Sequence, residues 1–127
     1  MLTRVSAAGA FHYNGTNADR VRTPSIFKDV ATIAIGTIAT VWTPAGGKKF
    51  RLMGGIISVT AAVNILFEDN AAGAGNFVVR IPTMLVGTPF QFTLGGNGFL
   101  SAVANNVLKA TSSAAANLVG TLFGTEE

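Results

Sequence analysis

The chain contains no cysteine among its 127 residues, which excludes disulfide staples, thiolate nucleophiles and cysteine-based metal sites. It has a single histidine, His12, so a metal centre would need carboxylates alone. A Ser-His-Asp arrangement would have to be built around the irregular segment that holds that histidine. Charge is scarce as well: 12% of residues are charged against about 25% in a typical soluble domain. A small domain with so little charge and 49% apolar residues is expected to hide part of its surface in an assembly.

Long apolar runs are also missing. Val30–Gly47 and Ile81–Leu108 carry no charge, but the first is interrupted by Thr32, Thr37, Thr40, Thr43 and Pro44. The second is broken by Pro82, Pro89, Gly95, Gly96, Asn97 and Gly98. Neither supplies the roughly 20 apolar residues of a membrane-spanning helix. Met1–Ala10 lacks the apolar core of a secretory signal, so none is predicted, and Asn14-Gly15-Thr16 reads as an accidental sequon.

What the chain does have, from Val30 to Gly124, is a succession of short apolar stretches cut every ten residues or so by Gly, Asn or Pro clusters. That spacing predicts an all-β sandwich or barrel of about eight short strands and no long helix. Val30–Trp42 reads as one strand with a bulge near Gly36-Thr37, and Lys49–Thr60 changes parity at Gly54-Gly55. Val63, Ile65 and Phe67 face one way, and through the loop 69–75 they pair as a hairpin with Phe77, Val79 and Ile81. Phe90, Phe92 and Leu94 alternate with Gln91 and Thr93; Gly95-Gly96-Asn97-Gly98 is a strong turn. Phe99–Ala102, Val107–Thr111 and Leu118–Phe123 complete the set, with brief helical turns expected in 101–106 and 112–117. Residues 1–27 share none of this rhythm and read as an extended N-terminal arm, leaving 28–127 as the β domain.

The charge is unevenly placed. Residues 1–51 hold seven of the nine basic residues, Arg4, Arg20, Arg22, Lys28, Lys48, Lys49 and Arg51, against Asp19 and Asp29; the remainder of the chain is net acidic. Alternation would put Lys48, Lys49 and Arg51 on one exposed face around Phe50. With Arg20 and Arg22 they could meet phosphates, but no aromatic stacking platform accompanies them, so a salt-bridging protein contact is the preferred reading over nucleic acid. His12 and Tyr13, in the arm, are read as surface or interface residues. Glu68-Asp69, the one internal acidic pair, sits at a strand end where adjacent side chains point apart, and is read as solvating a turn. Gly46-Gly47-Lys48-Lys49 and Gly73-Ala74-Gly75 fit no nucleotide fingerprint. No catalytic group, cofactor or metal site is predicted.

Several of these segments together resemble a known group. Thr43-Pro44-Ala45-Gly46-Gly47-Lys48-Lys49-Phe50-Arg51-Leu52, the hairpin around Asn64–Val79, Gly98-Phe99-Leu100-Ser101, Asn106-Val107-Leu108 and the closing Val119–Glu127 are similar to the small decoration, or cement, proteins of tailed-bacteriophage heads. The resemblance spans roughly residues 40–127, and the arm has no counterpart in it. It implies a jelly-roll-like β-sandwich, self-association as a trimer ahead of a dimer, and attachment to the major capsid protein on the outer surface of the virion. It brings no catalytic residues. On this reading Arg4, His12, Tyr13, Arg20, Arg22, Lys48, Lys49 and Arg51 are the candidate capsid or subunit contacts. A head-fibre or tail base that docks an adhesin is the alternative. A carbohydrate-binding β module ranks below both, because one Trp and one Tyr are few for sugar faces.

Overall fold

The computed structural model describes residues 11–13, 18–20, 23–35, 38–70 and 76–127. Among these the chain is all-β. Eleven strands occur in the order β1 (Phe11–Tyr13), β2 (Ala18–Arg20), β3 (Ile26–Ala34), β4 (Ala39–Trp42), β5 (Phe50–Val59), β6 (Val63–Asp69), β7 (Asn76–Met84), β8 (Phe90–Thr93), β9 (Phe99–Leu100), β10 (Leu108–Ser112) and β11 (Asn117–Glu126). Part of the expected arm therefore has regular structure: β1 pairs antiparallel with β2, His12 opposite Asp19. Ile26 and Phe27, assigned to the arm, open β3 of the main body. Arg4, Arg22, the sequon and the bulge expected at Gly36-Thr37 lie outside the described residues.

The remaining nine strands form two antiparallel sheets, one in the order β4-β10-β6-β7 and one in the order β3-β11-β5-β8, with β9 also on β5. The pairing is nested. β3 pairs with β11, β4 with β10, β5 with β8 and β6 with β7, so the chain runs as one long hairpin whose successive rungs fall in alternate sheets. The segment Val30–Trp42 is accordingly two strands rather than one, because β3 and β4 belong to different sheets. Apolar alternation alone does not reveal that switch.

One core lies between the sheets. Val30, Phe50, Leu52, Ile57, Val59, Leu118 and Leu122 face it from one side, and Trp42, Ile65, Phe67, Ile81, Leu108 and Ala110 from the other, all at most 2% exposed. Two ring pairs bridge the layers: Trp42 with Phe50, centroids 5.8 Å apart, and Phe67 with Phe92 at 5.9 Å. Burying each such side chain contributes about 1.5–3 kcal/mol. The parity change expected in β5 has a simple cause. Gly54 pairs with Phe123 but Leu52 pairs with Gly124, so Met53 is an extra residue and the core positions shift from Phe50 and Leu52 to Ile57 and Val59. Opposite that bulge the backbones come so close that a Cβ on Gly124 would lie 1.7 Å from the Arg51 carbonyl oxygen.

The edges follow the same logic. β7 is an outer strand and tolerates Pro82 at a place where the register with β6 slips between Val63 and Ile65, since an edge residue need not donate to a neighbour. The turn at Gly95–Gly98 has Gly96 and Gly98 at φ of 64° and 74°, as its glycines allow. The helical turns expected in 101–106 and 112–117 are instead bends and tight turns without a helix.

Candidate interaction surfaces

The three cations grouped by the sequence separate in space. Lys48 is exposed and Lys49 half-buried, but Arg51 is only 7% exposed. Its Nε and Nη2 donate to the two carboxylate oxygens of Glu127, the latter at 3.2 Å, and its Nη1 donates to the Asn97 carbonyl at 3.0 Å. A two-pronged guanidinium–carboxylate pair of this kind fixes geometry as well as charge. β11 brings it about: Thr125 lies opposite Arg51 in the ladder, and Lys49 and Glu127 exchange backbone hydrogen bonds of 2.7 and 2.9 Å. The expected exposed basic face around Arg51 therefore does not exist, because the acidic partner of Arg51 is the chain's own Glu127.

Glu126 closes the same end of the sandwich from the other side. Trp42, 1% exposed, donates its indole Nε1–H to Glu126 at 2.8 Å, and the Ala45 amide donates to the second oxygen at 3.2 Å. Lys28 stands 3.8 Å from the carboxylate and 5.9 Å from the centre of the Trp42 ring, close enough for a cation–π contact. Burial pushes the Glu126 carboxyl up. The bonds from Trp42 and Ala45 and the charges of Lys28 and Lys48 outweigh it, so the group titrates below its ordinary value of 4.5.

Glu68-Asp69 is not a solvated turn either, since both residues are buried. Asp69 accepts hydrogen bonds from the Ser101 hydroxyl at 2.9 Å, the Ala102 amide at 2.8 Å and the Asn106 side chain at 3.1 Å. It ties the end of β6 to the connection between β9 and β10, so its oxygens hold backbone rather than substrate. Among the described residues no group of three or more His, Asp or Glu side chains could hold a metal ion. His12, Tyr13 and Arg20 are placed on β1 and β2 and are not brought together with Lys48, Lys49 or Arg51 by any described contact.

Two surfaces that the sequence reading did not single out are apolar and open. The first is a cleft of about 200 Å³ where β7 leads into β8, lined by Pro82, Thr83, Met84, Leu85, Thr88, Pro89 and Phe90. Leu85 and Val86 stand 69% and 60% exposed beside it, on a turn pinned to the end of β5 by the bond from the Gly87 amide to the Val59 carbonyl. Pro82 and Pro89 bracketing an apolar run were the available signal. The second is the outer face of the sheet β3-β11-β5-β8, where Phe27 is 65% and Ile56 47% exposed and Phe27 packs on Phe123 at 6.3 Å.

No known family matches the chain, and neither a curated protein nor a solved structure offers a match.

Proposed function

We propose that this protein is a non-catalytic structural component that decorates the outside of a bacteriophage head and stabilises it by bridging major capsid protein subunits. The nested pairing supports a jelly-roll wiring, the fold that the resemblance to decoration proteins implies, in which eight strands wind as two Greek keys. The observation that carries the reading is the apolar cleft with its exposed Leu85 and Val86. On this body the carboxylates of Asp69, Glu126 and Glu127 are committed to structural bonds, while large apolar side chains are left in water, where they are costly unless a partner covers them.

The attachment reading assigns the cleft to the capsid protein, with Lys48 and Lys49 as rim charges that speed encounter more than they add affinity. It is tested by incubating the purified protein with heads that carry no decoration and pelleting them. Co-sedimentation is expected for the parent and loss of it for a Leu85→Lys/Val86→Lys double variant that melts like the parent. Equal co-sedimentation of the two would remove the cleft from the account.

A further inference from the structure

The two outer faces of the sandwich differ in charge. By alternation along the strands, the face of β4-β10-β6-β7 presents Lys109 opposite Glu68 and Arg80 opposite Leu66. The face of β3-β11-β5-β8 presents Phe27 opposite Phe123 and Ile56 between Thr121 and Gln91. Val119 pairs with Ser58, and Gly54 lies between Phe123 and Thr93. Among the described residues its ionisable side chains are Asp29, on the edge strand β3, and Lys49, Arg51 and Glu127 at one end, where Arg51 is bonded to Glu127 and Lys49 pairs with Glu127 through the backbone. Apolar and hydroxyl side chains with charge confined to one edge and one end are a poor surface for a soluble monomer.

We infer that a second copy of this chain packs on this face. The inference rests on the assembly reading above but uses a different surface from the capsid-facing cleft. Self-association about a two-fold axis needs a patch that tolerates its own image. A face whose charges, among the described residues, sit at its rim meets that condition, whereas the opposite face, with Lys109 and Arg80, would set cations against cations or demand an exact offset. The size is adequate. Strands β3, β11, β5 and β8, of 9, 10, 10 and 4 residues, spaced about 4.8 Å apart, offer about 500 Å² of sheet per copy. That is about 1,000 Å² over the pair, the lower bound of a specific interface. The dimer is therefore concentration-dependent, with the rings of Phe27 and Phe123 and the side chain of Ile56 as its anchors.

Sedimentation of the full chain over a wide concentration range tests this, with three proteins compared. The parent is expected to pass from monomer to dimer. Phe27→Lys/Ile56→Lys is expected to weaken the dimer by about 30-fold or more, as for the loss of a central anchor, while keeping the parent's far-ultraviolet spectrum. Phe77→Lys, at a site 61% exposed on the opposite sheet, is expected to dimerise like the parent. Should the double variant lose its spectrum, Phe27→Lys alone, on the edge strand, takes its place. A parent that stays monomeric, an oligomer other than a dimer, or a dimer indifferent to Phe27→Lys overturns the inference. Loss of head binding in the Leu85→Lys/Val86→Lys variant with the dimer intact separates this surface from the cleft.

Discussion

Removing one carboxylate, in Glu126→Ala, tests whether the end of the sandwich is held by a buried hydrogen bond or by packing alone. Trp42 is 1% exposed and its indole N–H donates to Glu126 at 2.8 Å. Without that acceptor the donor stays buried and unpaired, at a cost of about 1–3 kcal/mol. The Ala45 amide is exposed and finds water. The half-exposed Lys28 pair adds about 0–1 kcal/mol. The expected loss is thus about 1–4 kcal/mol, which for a chain of this length lowers the melting temperature by about 4–15 °C. Glu126→Gln keeps an acceptor and should lose roughly half as much. Melting followed by far-ultraviolet dichroism reads the stability, and the fluorescence of Trp42, the only tryptophan in the chain, reports on the indole directly. A Glu126→Ala protein that melts within about 2 °C of the parent with unchanged emission would show that this bond contributes nothing, and would refute the reasoning.

The same carboxylate makes stability pH-dependent. Because Glu126 titrates lower in the folded chain than in the unfolded one, its contribution is complete above the ordinary value of 4.5 and is lost as the pH falls through the lowered folded value; melts taken from pH 7 downward should fall more steeply for the parent than for Glu126→Gln. Phe50→Ala, at a site fully buried against Trp42, should cost about 3–5 kcal/mol by chemical denaturation, and Phe92→Ala less, since Phe92 is only half-buried; equal costs would contradict the assigned layers. Arg51→Ala should destabilise by about 1–3 kcal/mol, because it removes a side chain that is 7% exposed together with its hydrogen bonds to Glu127 and the Asn97 carbonyl, whereas Lys48→Ala/Lys49→Ala should melt within about 0.5 kcal/mol of the parent. Gly124→Ala should prevent folding on expression, since its Cβ would overlap the Arg51 carbonyl.

Local patterns were legible in the residues themselves. Val63, Ile65 and Phe67 on one side and Ile81 across the hairpin announced β6 and β7, and the change of parity around Gly54 announced the bulge that the register places at Met53. Such features depend on neighbours a few positions away, where period and turn chemistry act. What was not legible depends on distance along the chain. Glu126 meets Trp42 across 84 positions and Glu127 meets Arg51 across 76, so a basic cluster that looked free is closed by acids from the far end. Asp69 looked like a turn residue because its donors, Ser101, Ala102 and Asn106, lie more than thirty positions away. The exposure of Leu85, Val86 and Phe27 could not be read from composition, because an apolar residue in a strand pattern points to a core until the sheet order shows which face it is on.

The attachment claim is tested most directly by electron cryomicroscopy of undecorated heads incubated with the purified chain. Density is expected on the outer surface at regular lattice positions, each touching neighbouring capsid subunits and fitting the sandwich with Leu85 and Val86 turned toward the shell. Bare heads, or density confined to a single vertex or to the tail, would contradict it.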